Sequence, residues 1–199
     1  FWPLAIWYLF DCGIFFGFGG LWGGPYLMHV HGLSREEAGV VLSMIAWGMI
    51  VGSPFLGVVS DRFLKSRKKP FVACAAILTL EMGLLYLYPA SMSRLVLCAV
   101  FFVFSICASA IVAIGFTATK ELFPVEIAGT SVGTVNLFPF LGGAIYMPML
   151  GRILDFYPRE ASGAYARQGY TAMLLVLLVS SVLALCCTLG MKETFRQEE

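Results

Sequence analysis

Charge is what this sequence is short of. Asp, Glu, Lys and Arg make up 13% of its 199 residues, about half the share found in an average soluble domain, which excludes a water-soluble fold of this size. Histidine is scarcer still: the only two are His29 and His31, and as a pair they leave a zinc site incomplete. Net charge is +1, and the single basic cluster lies at 62–69. Nucleic acid binding is excluded, because it needs basic residues spread over a face. The apolar/polar alternation of a membrane β-barrel, over about ten residues per strand, is also missing.

What the chain has instead is apolar length. Hydrophobic residues reach 59% and mean hydropathy is +0.86. They fall in blocks of about 20, the number a helix needs to cross roughly 30 Å of hydrocarbon. Polar punctuation sets the blocks at 3–28, 35–60, 70–88, 95–119, 126–154 and 168–190, in a single six-helix transmembrane domain covering 1–199. All are expected to be helices, since a span in lipid must satisfy its own backbone. Ser34-Arg35-Glu36-Glu37 reads as a capping box opening the second; Pro70 opens the third and Pro89 closes it. The six cysteines lie inside these blocks and read as small buried hydrophobes rather than a disulfide framework. The start at Phe1, with Asp11 and a glycine run in the first block, fits a signal peptide poorly and reads as a trimmed piece of a longer protein.

Orientation follows from Lys and Arg in short loops. Arg62, Lys65, Arg67, Lys68, Lys69, Lys120, Lys192 and Arg196 lie on one side, against Arg35, Arg94, Arg152, Arg159 and Arg167 on the other. Both termini are therefore expected in the cytoplasm, the chain being a multi-pass protein of a plasma or bacterial inner membrane.

The second and fifth blocks share a pattern. Pro54-Phe55-Leu56-Gly57-Val58-Val59-Ser60-Asp61 and Pro148-Met149-Leu150-Gly151-Arg152-Ile153-Leu154-Asp155 both read P-x-L-G-x-x-x-D, at an offset of 94 that also pairs Gly48 with Gly142, Val41 with Val135 and Gly39 with Gly133. Second and fifth of six helices run in opposite directions, so a three-plus-three inverted repeat is implied. Secondary transporters reuse this design, because two units of opposite orientation can exchange conformations around a central site.

Gly57-Val58-Val59-Ser60-Asp61-Arg62 with Arg67-Lys68-Lys69 resembles the G-x-x-x-D-R-x-G-R-R signature of the major facilitator superfamily, although the glycine after Asp-Arg is absent and Leu64-Lys65-Ser66 intervene. Lys120-Glu121-Leu122-Phe123-Pro124-Val125-Glu126-Ile127-Ala128-Gly129 is similar to the superfamily's P-E-x-x-R-G loop, with Ala128 where arginine is common. The resemblance implies half of that fold, and Leu141–Gly151 together with Lys192-Glu193-Thr194 imply the carboxy-terminal half. It also implies a gating charge network of Gly57, Asp61, Arg62, Arg67 and Glu121, with an Arg62–Glu121 contact. The partners implied are lipid, a small-molecule solute and an amino-terminal six-helix half. With its cavity face uncovered the chain alone is expected to self-associate and not to transport.

Within the resemblance, the first, second, fourth and fifth helices line the cavity, with protons as a coupling candidate. Asp11, Trp22, Tyr26, Asn136 and Tyr146 are the solute or proton candidates on them. Asp11 reads equally as a helix-end residue snorkelling to water, and Asn136 as a bridge between two helices. Glu81, in a peripheral helix, reads as structural. The glycines from Gly13 to Gly24 read either as a bending gate or as a close-packing stripe. Gly129-Thr130-Ser131-Val132-Gly133 matches G-x-S-x-G but opens a membrane helix, far from either histidine. No enzyme activity, cofactor or metal is expected. A six-helix channel or a stand-alone membrane module is the remaining rival, and a channel would need a polar stripe that no block shows.

Overall fold

The computed structural model describes residues 1–89, 92–160 and 163–195; Arg196, counted above with the basic side, lies outside them. Six helices are long and apolar enough to cross a membrane: α1 (Trp2–His31), α2 (Arg35–Leu64), α3 (Lys68–Leu87), α4 (Arg94–Glu121), α5 (Val125–Asp155) and α6 (Arg167–Leu189). Each starts and stops for a local reason. Ser34 accepts from the Glu37 amide at 3.2 Å while Glu37 Oε2 accepts from the Ser34 amide at 3.0 Å, so the capping box of α2 is complete. Ser93 caps α4 through the Val96 amide. Gly32, at φ 66, ends α1 in the left-handed region that a glycine enters without strain.

The end of α2 runs past the sequence expectation. α2 continues beyond residue 60 in a wide π-helical turn over Val59–Leu64 and stops at Lys65, φ 43. The glycine-rich stretch of α1 neither breaks nor unwinds; it widens into a π-helix over Phe15–Trp22, and α4 does the same over Ile111–Gly115. Such wide turns stay hydrogen-bonded, which a lipid-embedded backbone requires.

The packing carries the repeat in three dimensions. α2 lies along α4 as α1 lies along α5, while α3 lies along α6. Exchanging α1 with α4, α2 with α5 and α3 with α6 maps these pairings onto themselves. The glycines paired by the sequence offset sit at the same place in each crossing. A Cβ on Gly48 would come within 2.5 Å of the Phe102 carbonyl oxygen, and one on Gly142 would collide with the Leu9 carbonyl oxygen. Small residues thus bring backbone against backbone at both crossings, the way helices associate where lipid supplies no hydrophobic drive.

The interior is filled from α1 outward. Trp7, Tyr8, Ile14, Phe18, Tyr26 and Leu27 are fully covered, against Phe71, Leu78 and Met82 of α3, Phe101 and Phe104 of α4, and Met173, Leu174 and Leu177 of α6. α2 and α5 are the least covered spans. Their open faces carry Val40, Trp47, Ile50 and Phe55, and Leu137, Phe140, Leu141 and Ile145.

Candidate functional site

The chemistry-bearing side chains gather where α2 turns into α3. The π-turn and left-handed Lys65 reverse the chain, so Arg67 returns over the end of α2. Its Nη1 donates to Ser60 Oγ at 3.0 Å and pairs with Asp61; its Nε and Nη2 reach both oxygens of Glu121, at the end of α4, at 3.0–3.3 Å. This is the forked geometry that a guanidinium offers a carboxylate and a lysine cannot. The Arg67 side chain is 12% exposed and Glu121 23%, whereas Asp61 is 56% exposed.

A third segment closes the cluster. After α6 the chain doubles back, and Glu193 accepts from the Arg67 amide at 2.7 Å, from the Lys68 amide at 3.4 Å and from the Ser66 hydroxyl, capping the start of α3. Ser66 Oγ in turn accepts from the Lys69 amide. Thr194 donates to Glu121 Oε2 at 2.9 Å, Phe195 stacks under the Arg67 guanidinium at 5.0 Å, and Lys68 Nζ donates to the Leu189 carbonyl at the end of α6. One arginine therefore ties the ends of α2, α3, α4 and α6 together.

The electrostatics agree. Burial alone would lower the Arg67 guanidinium, but Glu121 and Asp61 hold it above its ordinary value. Burial would raise Glu193, yet the Ser66 hydroxyl and the Arg67, Phe195 and Lys68 amides outweigh it and hold the carboxyl below its ordinary value.

Arg62 does not take the part expected of it. It is exposed and makes no hydrogen bond or ion pair among the described residues, and the Glu121 contact belongs to Arg67. The four residues between Asp-Arg and the basic run, Phe63 to Ser66, are the reason, since they form the turn that carries Arg67 back. Gly57 has open space where a Cβ would be. Glu193, Thr194, Ser60 and Ser66 were not among the expected network. Only the K-E-T after α6 stood out in the sequence, and nothing there says that it returns to α3.

The five solute or proton candidates separate. Trp22 donates to the Met147 carbonyl at 3.0 Å and lies over Gly151. Tyr26 is buried; it donates to the Pro89 carbonyl at 3.2 Å and accepts from His31 Nε2, while His29 pairs with Tyr170 at 2.8 Å. Tyr146 packs over Gly13 and reaches Ser180 of α6. Asp11 is 3% exposed, inside the helical unit, and its Oδ2 has no hydrogen-bond partner among the described residues, so it does not reach water by snorkelling. Asn136 alone is exposed, beside Leu137 on the open face of α5. Glycine slots at 13 and 151 take the rings of Tyr146 and Trp22, so these side chains pack helix against helix. Among the described residues no cluster of His, Cys, Asp and Glu is placed to hold a metal ion.

The sequence profile of the Major Facilitator Superfamily matches residues 4–196. Two curated relatives are the glycerol-3-phosphate transporter of Bacillus subtilis, 28% identical over 139 residues, and a probable galactarate/D-glucarate transporter of Pseudomonas putida, 29% identical over 140. Each match takes in 67% of this chain and 30% of the relative. The structure is also similar to the inward-open xylose transporter XylE from E. coli, with a TM-score of 0.67 at 16% identity, over 96% of this chain and 47% of that one. The chain spans less than half the length of the proteins it matches.

Proposed function

Since the chain belongs to the major facilitator superfamily, we propose that it forms the carboxy-terminal six-helix half of a secondary active transporter that moves a small solute by alternating access. The observation that carries this reading is the fold itself: six spans arranged as an inverted repeat, superposing on about half of a solved transporter. The motifs shared with the superfamily favour the carboxy-terminal side.

The division of the helices suits the task. α1 with α5, and α2 with α4, are two tightly crossed pairs, and the open faces of α2 and α5 are the surfaces a second six-helix half would cover. The Arg67 cluster ties four helix ends on one side of the membrane. It is suited to hold one conformation and to release it when its pairs part. By the excess of Lys and Arg in its loops we assign that side, and both termini, to the cytoplasm. Glycerol-3-phosphate and galactarate or glucarate, named in the relatives, are hydroxylated organic anions; that is the solute class we assign, with the proton as coupling ion.

Reconstitution of the full-length protein in liposomes tests the reading. Saturable uptake of a hydroxylated organic anion, with counterflow, is expected. Fast non-saturating flux would point to a channel, and robust transport by these 199 residues as a monomer would overturn the half-transporter assignment.

A further inference from the structure

Two buried polar atoms on one face of α1 have no hydrogen-bond partner among the described residues: Trp7 Nε1 and Asp11 Oδ2. Residues four apart on a helix stand one above the other, so an unpaired donor and an unpaired acceptor share one face. Buried groups of this kind are served in proteins by internal water.

A cavity lies toward one end of the same helix. It measures about 110 Å³, room for several waters, and opens at the basic end of the unit, between the ends of α1, α3, α4 and α6. Arg67, Lys68 and Lys192 border it, and Leu4, Phe71 and Ala118 line its apolar part. Leu4 is one turn before Trp7 on α1, and the Phe71 ring meets the Trp7 ring at 4.6 Å. From the surface inward the order is cavity, Leu4 and Phe71, Trp7, Asp11.

Of the titratable groups, Tyr8 and Cys12 of α1 and Cys107 of α4 lie near Asp11; Cys74 and Glu81 of α3 lie around Cys107, Tyr146 of α5 packs at Gly13, and Cys187 of α6 joins the apolar cluster that holds Cys12. None is a cation, and no lysine, arginine or histidine is paired with it among the described residues. An unpaired carboxylate at membrane depth is disfavoured. Such a group exchanges its proton when its surroundings change, and the π-helical stretch of α1 begins four residues further on, at Phe15.

We propose that the cavity at the basic end admits water along α1 past Trp7, and that Asp11 is a proton-carrying site served from inside the six-helix unit rather than from the open faces of α2 and α5. The inference rests on the transporter reading for its purpose: the proton acts through α1 without touching the solute.

The test is infrared difference spectroscopy of the full-length protein in lipid, in H2O and D2O buffers. A Glu81→Gln background removes the other unpaired buried carboxyl. The C=O stretch of a neutral carboxylic acid is expected at neutral pH, shifting on deuteration and lost in Asp11→Asn. Its deuteration should slow in Ala118→Phe, which fills the cavity; Leu122→Phe at the same cavity gives the same readout if that variant does not fold. A band unchanged by Asp11→Asn would overturn the site, and deuteration as fast in the filled variants as in their parent would overturn the route. Solute uptake is read separately. A wild type that takes up no solute would remove the transporter reading and leave the infrared result standing.

Discussion

The pairing of Arg67 with Glu121 admits a sharp energetic test, because the structure replaces one arginine by another in the network. Glu121→Gln removes a carboxylate that receives Nε and Nη2 of a guanidinium 12% exposed. Hydrogen bonds to charged groups contribute about 1.5–3 kcal/mol in net terms, and partial exposure with a second carboxylate nearby argues for the lower end. A coupling of about 2 kcal/mol is therefore expected between the two residues. The assay is a double-mutant cycle of Arg67→Met and Glu121→Gln in the full-length protein, read by denaturant titration in micelles. Arg62→Met is the internal control: exposed and unpaired, it should change stability by less than about 0.5 kcal/mol and show no coupling to Glu121. Coupling that appears with Arg62 and vanishes with Arg67 would refute the geometry and restore the contact that the superfamily pattern implies.

Other substitutions test other parts of the structure. Glu193 is held below its ordinary carboxyl value of 4.5 by the Ser66 hydroxyl and the amides at the start of α3. Its stabilisation is then complete above that value and lost as pH falls through the lower folded value; Glu193→Gln should be less stable than wild type at neutral pH, and a gap in unfolding midpoint that persists into strong acid would contradict the cap. Gly48→Ala and Gly142→Ala force a methyl against a carbonyl oxygen and should each cost about 1–3 kcal/mol, whereas Gly39→Ala and Gly133→Ala, facing open space, should be near neutral in the same titration. Tyr146→Phe loses the bond to Ser180, which keeps its own bond to the Val176 carbonyl, so a loss of about 0.6–2 kcal/mol is expected. A loss above that range would mean that the hydroxyl does more than join α5 to α6.

The spans were legible because lipid leaves few options: blocks of about 20 apolar residues, bounded by Ser34, Gly32 and Pro70, translate directly into helices. The charge network was legible in its members, and Arg67 and Glu121 do meet. Its wiring was not. Whether Arg62 or Arg67 faces Glu121 depends on the left-handed Lys65, a non-glycine residue at φ 43 that no turn signal in the sequence announces. Glu193 was illegible for a different reason, since its partners at Ser66 and Arg67 are more than a hundred residues away. The aromatic candidates could not be oriented from the sequence, because a ring next to glycines in a membrane helix is equally suited to facing a cavity or filling a slot, and only the partner helix decides.

The two crossings show what an inverted repeat preserves. Under the exchange, Gly52 of α2 corresponds to Tyr146 of α5, and Ile106 of α4 corresponds, one residue closer in offset, to Gly13 of α1. In one crossing the glycine is on α2 and the bulk is Ile106 and Ser109 of α4; in the other the glycine is on α1 and the bulk is Tyr146 of α5. Small meets large in both, with the roles reversed between partners, and a volume-conserving exchange of that kind is what a packed interface tolerates best. The larger ring in the second crossing brings a hydroxyl with it, and that hydroxyl must find a partner at membrane depth, which Ser180 of α6 supplies. So both crossings keep a small residue against a large one while their side chains diverge. The alternating access proposed above would ask for this combination, because two units must then move alike while presenting different chemistry to the solute.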